Sequence, residues 1–236
     1  MDWRKARRSF YYQDAPDPVA PPLNPATTAL LVVDVQNHFL KRPDPATLNE
    51  SERERYDAWE PFHERMRQTV IPNISSLLGE MRKRGVECIH VRIAALTRDG
   101  RDRSLSQKLP GFNNLLLPFD EHASQIVAEL TPAEGEIVVT KTTESCLTGT
   151  NLRLMLNNIG IRTVICVGIL TDQCLSSTVR SLSDESFHVI LVEDCAAAGS
   201  HDLHERELEI LNMIYCNVMS SAELVFLMDE QAAIHA

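Results

Sequence analysis

Short apolar runs with hardly a polar residue on either face constrain this chain most. They are ALLVVDV (29–35), ECIHVRI (87–93), EIVVTK (136–141), TVICVGI (163–169) and HVILVED (188–194), with a weaker YCNVMS (215–220). Strand side chains alternate between two faces, so a run apolar at both must be covered on both. Stretches with helical spacing lie between them, at 60–84, 120–130, 148–159, 172–185 and 201–213. Pro72 marks a kink or break in the first of these, and Gly85 and Gly160 follow two of them as C-cap candidates. This alternation predicts a three-layer α/β/α sandwich around a six-stranded, mainly parallel, doubly wound sheet.

Composition narrows the setting. The chain has 236 residues, 44% apolar and 24% charged, which suits one sizeable globular domain. Residues 28–236 are read as that single domain. Residues 1–27 are read as an arm, because Pro16, Pro18, Pro21, Pro22 and Pro25 break any helix. The arm is expected to lie over the domain or a neighbouring subunit, with Trp3, Phe10, Tyr11 and Tyr12 as anchors on that neighbour. The net charge of −10 disfavours a nucleic-acid partner. No apolar run approaches the ~20 residues of a membrane span, and MDWRKARRSFYYQ lacks the apolar segment of a secretory leader. Six cysteines without a CxxC pair read as buried free thiols in a reducing compartment, so a cytoplasmic location is expected.

In an open parallel sheet, ligands bind at the carboxyl ends of the strands. Asp34 closes the first run, Lys141 closes the third, and the fourth leads through Gly168 into ILTDQC, where Cys174 opens a helix. Each has an ordinary reading: a helix cap, a solvated amine, a core thiol. Together they place a carboxylate, an ammonium and a thiol on one edge. Charges abutting apolar runs are costly unless they meet. A thiol at a helix start beside a cation is expected to shift toward thiolate, and Asp34 could take and return its proton.

These residues resemble the isochorismatase-like cysteine hydrolases. The matching pieces are VVDVQNHF, TKTTESCLTGTNL, VGILTDQCLSSTVRSL and VILVEDCAA, and the likeness runs over about 28–222. The resemblance implies an Asp34–Lys141–Cys174 triad. It also implies a cis peptide between Ile169 and Leu170, and an oxyanion hole from the amides of Leu170 and Cys174. Gln36 and Leu147 fall in the matching pieces and are carried as substrate-binding candidates. Zinc-dependent relatives carry histidines after the second strand, whereas Arg92–Asn114 has none, so no metal and no other cofactor are expected. Relatives that cleave a vinyl ether lack the cysteine that this chain keeps. The implied activity is hydrolysis of a small linear amide, ureido or carbamoyl compound by the amidohydrolase branch, through a thioester. An isochorismate-type enol-ether hydrolase and a non-catalytic oligomeric scaffold are the alternatives. The implied partners are a small-molecule substrate and further copies of the chain, as a homodimer or homotetramer.

The polar 97–114 segment carries Arg98, Arg101, Arg103 and Lys108 against Asp99 and Asp102. It is expected to cover the pocket, with at least one of the three arginines binding a polar or anionic substrate group. Asp172 is read as a helix cap. His201 and His204 are read as a solvated first turn, and Glu52–Arg55 as a solvated helix face.

Overall fold

The computed structural model describes residues 2–111 and 113–235. Phe112, in the 97–114 loop, lies outside them. Six strands form one sheet: β1 (Thr28–Val33), β2 (Glu87–Ile93), β3 (Ile137–Lys141), β4 (Thr163–Ile169), β5 (His188–Ala197) and β6 (Asn217–Met219). Every pairing is parallel and the order is β3-β2-β1-β4-β5-β6, so the expected sheet holds and none of its strands is antiparallel. The order reverses at β1/β4, the crevice where such sheets take ligands.

The helices are α1 (Asn37–Leu40), α2 (Glu50–Ala58), α3 (Glu60–Arg65), α4 (Ile71–Lys83), α5 (Leu152–Asn158), α6 (Ser176–Asp184), α7 (His201–Leu211) and α8 (Ser221–His235). Strand alternation splits the interior into two cores. Leu30, Val32, Ile165, Val167, Ile190 and Val192 face α3, α4 and α8. Ala29, Leu31, Val33, Val164, Cys166 and Leu191 face α5, α6 and α7. Both faces are dry, which is why the strand runs carry so few polar residues.

Several expectations are corrected. The 60–84 helix is broken near Pro72, as expected, but by a π turn at Met66–Val70 that ends two residues before the proline. Pro72 has no N–H for the usual bond, and the wider turn accommodates that loss. Residues 120–130 form no helix, only short 3-10 turns at His122–Ser124 and Ala128–Leu130. Their backbone is committed elsewhere: Val127 N–H donates to Val35 O, and Ile126 pairs with Gln36. Helix α8 has no counterpart in the sequence expectation. Its Leu224, Leu227 and Met228 are buried at helical spacing against the first core.

The arm packs on its own chain. Trp3 is buried in the first core, Asn212 Nδ2 donates to the carbonyls of Ala6 and Arg7, and Thr163 Oγ1 donates to Pro22 O. Trp3 is therefore not an anchor for a neighbour, while Phe10 and Tyr11 stay exposed. Helix α2 buries none of its residues, as a solvated face should. All six cysteines are free and buried. Among the described residues no helix is long and apolar enough to cross a membrane.

Candidate active site

Two backbone features open the crevice at the β1/β4 switch point. Gly168 has φ +116°, and a Cβ there would lie 2.1 Å from Val33 O, so only glycine lets β4 pass this close to the end of β1. Asp34, the first residue after β1, sits in the left-handed region at φ 55°. Few non-glycine residues adopt that conformation, Asp and Asn being the most tolerant. Its N–H still donates to Val91 O at 2.9 Å, so the turn is anchored to β2.

Lys141 ends β3, beside Ile93 of β2, and reaches back toward β1. Its ammonium lies 2.7 Å from Asp34 Oδ2 and donates to Thr143 O at 2.9 Å and to Cys174 Sγ at 3.3 Å. Two of its three N–H donors are thus spent on Thr143 and Cys174, and the charge is shared with Asp34 as an ion pair. The Lys141 side chain is fully buried and that of Asp34 nearly so. Apart from this ion pair, neither Asp34 oxygen accepts a well-directed hydrogen bond among the described residues. Asp34 therefore keeps acceptor capacity inside a dry site.

Cys174 lies in a π turn, Thr171–Leu175, that leads into α6. Its thiol accepts from Lys141 and donates to Glu144 Oε2 at 3.0 Å. Glu144 is the site residue that sequence reasoning missed. Its one signal was position, three residues after the lysine that ends β3, in a turn that reads as solvent-facing. The 142–151 loop is fastened to α6: Ser145 Oγ donates to Ser181 Oγ at 2.9 Å, and Thr178 Oγ1 accepts from Cys146 N–H at 3.1 Å.

The electrostatics differ from the sequence expectation at one point. Burial pushes the Cys174 thiol well up, and the Asp34 carboxylate pushes it further; Lys141 opposes this and Glu144 adds to it. The resting group is a thiol, so the expected shift toward thiolate is reversed. Burial works against the Lys141 charge, but the adjacent Asp34 carboxylate opposes it, and the ammonium stays well above its ordinary range. Burial raises Asp34 despite the adjacent ammonium.

Comparison with known proteins follows the same geometry. The Isochorismatase domain model matches residues 28–223. The chain belongs to the isochorismatase family. An N-carbamoylsarcosine amidase from Arthrobacter sp is 31% identical over 129 residues, covering 52% of this chain and 48% of that protein. The match thus spans about half of that relative's length. A ureidoacrylate amidohydrolase from Agrobacterium fabrum is 27% identical over 198 residues, 76% of this chain and 78% of that one. An isochorismatase family protein from Desulfovibrio vulgaris superposes with a TM-score of 0.69 at 25% identity, covering 86% of this chain and 98% of that one.

The other candidate residues lie around this crevice or are drawn away from it. The Ile169–Leu170 peptide is cis, and the Leu170 and Cys174 amides flank the turn that carries the thiol. Gln36 is wholly buried: its Nε2 donates to Ile93 O and Ser124 O, and its Oε1 accepts from Ile93 N–H. It ties the segment after β1 to β2, and both of its N–H donors are spent within the protein. Leu147 packs on the α5–α7 core.

The loop arginines are spent outside the site. Arg98 pairs with Asp120 and Arg101 with Asp99, while Arg103 donates to Gly100 O, Gln107 O, Leu115 O and Asn114 Oδ1. Arg98 and Arg101 are exposed and hold only surface pairs, whereas Arg103 is bonded within its own loop.

His204 is fully buried, not solvated. It bonds Thr171 Oγ1 through Nδ1 at 2.8 Å and meets Arg65 through Nε2 at 3.0 Å. Burial, then the Arg65 charge, depress it to about 3, so it is neutral and Arg65 donates to it. Asp172 makes no capping bond. Among the described residues, no group of three or more His, Cys, Asp or Glu is placed to hold a metal ion.

Proposed function

We propose that this isochorismatase-family hydrolase is a cysteine amidohydrolase that cleaves the C–N bond of a small linear amide, ureido or carbamoyl compound. One observation carries the reading: a buried ammonium touching both Asp34, at 2.7 Å, and the Cys174 sulfur, at 3.3 Å. The two amidase relatives support the bond type. In this reading Asp34 takes the thiol proton as Cys174 Sγ attacks the carbonyl carbon. The ammonium offsets the charge that builds on sulfur, and the Leu170 and Cys174 N–H groups take the oxyanion. The C–N bond breaks as Asp34 returns the proton to the leaving nitrogen, which leaves a thioester. Asp34 then takes a proton from water, the hydroxide attacks the thioester carbonyl, and the thiolate leaves and is reprotonated. Raised Asp34 suits this exchange, because an acid nearer neutrality both accepts and returns a proton readily.

The test is a panel of amides, ureas and carbamoyl acids with ammonia detection, followed by intact-mass trapping of the acyl adduct. A substrate-dependent mass increase on Cys174, absent in Cys174→Ser, is the expected result. Pyruvate release from isochorismate that persists in Cys174→Ala would favour the enol-ether reaction and overturn this one.

A further inference from the structure

We propose that Glu144 is a specificity-determining residue: it favours substrates that bring an N–H donor or a positive charge to Cys174, and disfavours anionic ones. The word substrate here rests on the amidohydrolase reading above.

Charge is unevenly balanced around the sulfur. Lys141 and Asp34 form a buried pair whose charges offset each other, and the ammonium also donates to Thr143 O and to Cys174 Sγ. The basic residues of the 97–114 loop do not help. Arg98 and Arg101 are exposed and paired with carboxylates, Arg103 is bonded within its own loop, and Lys108 donates to Arg101 O. Glu144 makes no ion pair among the described residues, and its one hydrogen-bond partner there is the thiol. It is also half-buried, so it borders both the sulfur and the open side of the site. The approach to the nucleophile thus has one uncompensated carboxylate.

The chemistry then sets a condition on the substrate. In the resting state the thiol proton satisfies Glu144. When that proton passes to Asp34, a thiolate and a carboxylate face each other across 3.0 Å. Like charges at that separation oppose ionisation unless a donor enters between or beside them. The loop cannot move Glu144 away cheaply, because Ser145 and Cys146 are tied to α6 on its C-terminal side and Thr143 Oγ1 is tied to Thr148 O on the other. A substrate supplies the missing donor when its carbonyl carbon carries N–H groups on both sides, or when a cationic arm lies next to it. A carboxylate arm adds a third negative charge instead.

Two pairs of probes, similar in shape and different in charge, test this in the full chain. The first pair needs no turnover: iodoacetamide and iodoacetate, which differ by one negative charge, with Cys174 labelling followed by peptide mass spectrometry. Wild type should prefer the neutral reagent well beyond the preference of glutathione. Glu144→Gln and Glu144→Ala should each shrink that ratio by about tenfold, the order expected for one unit charge a few ångströms from the reacting atom. The second pair is (2-aminoethyl)urea and N-carbamoylglycine, in which the same change should move the kcat/KM ratio toward the anionic compound, mainly through KM. A labelling ratio that stays within twofold of wild type in both variants overturns the proposal. A ratio that falls as expected, while wild type hydrolyses no amide or urea, upholds the electrostatic role of Glu144 and counts against the amidohydrolase reading alone.

Discussion

Two loops leave the same edge of the sheet and use charge in opposite ways. The one after β2 is long and rich in arginine, and sequence alone makes it the obvious substrate clamp. Its cations are consumed locally, by Asp99, Asp120 and the loop's own carbonyls. The one after β3 is short and contains a single acid. It is fastened to α6 and delivers that acid to the sulfur at 3.0 Å. The number of charges on a loop therefore says little about the field at the site. What counts is which charges remain unpaired once the backbone has taken its share.

The largest expected effect removes the sulfur that the loop after β3 reaches. Cys174→Ser should lower kcat by about 10³-fold or more with little change in Tm, since the replacement is nearly isosteric. Substantial amidase activity in this variant would sink the covalent mechanism. Lys141→Met should be comparably inactive and also unstable. It leaves the buried Asp34 carboxylate without its cation, a change worth about 3–5 kcal/mol in chemical denaturation. Adding Asp34→Asn should return much of that stability and none of the activity. If Lys141→Met is as stable as wild type, the pair is less buried than the structure has it.

An intermediate effect concerns the support behind the nucleophile turn. Neutral His204 holds Thr171, and protonation would set a cation against Arg65. Its pKa is about 3 in the fold, against an ordinary value of 6.5. The unfolded chain therefore binds this proton more readily than the native one. Stability from this source is complete above 6.5 and declines as pH falls toward 3, by at most about 1.4 kcal/mol per pH unit. Denaturation at pH 7.5, 6 and 5 should show the decline, and His204→Gln should flatten it while lowering stability at pH 7.5. An unchanged slope would mean that other groups set the acid limb, such as Glu136, whose pKa is held down at about 2.

The sequence disclosed the frame well because the sheet is covered on both faces. ECIHVRI and TVICVGI coincide residue for residue with β2 and β4. Knowing that parallel strands end on one edge was enough to bring Asp34, Lys141 and Cys174 together. What stayed hidden depends on partners distant in sequence. Gln36 reads like a substrate contact, and only the fold shows its amide consumed by Ile93 and Ser124. Glu144 reads like a solvated turn until α6 fixes its loop. The thiol's direction of shift also needed the fold: the nearby cation was visible, whereas full burial and a second carboxylate were not.

The smallest expected effects sharpen the contrast between the two loops. Arg98 and Arg101 are exposed, and each forms one surface pair, with Asp120 and Asp99. Such pairs contribute about 0–1 kcal/mol, so Arg98→Ala and Arg101→Ala should change kcat/KM and stability by less than about twofold and 1 kcal/mol. Arg103 differs in kind, since its guanidinium closes the loop onto Gly100 O, Gln107 O and Leu115 O. Its truncation leaves three carbonyls short of a donor and should loosen the loop, seen as faster limited proteolysis between 97 and 114. Any rise in KM for Arg103→Ala should then be similar for anionic, neutral and cationic substrates, because loop order is what was lost. A KM that rises only for anionic substrates would restore this arginine as a direct contact and would place a cation at the site opposite Glu144.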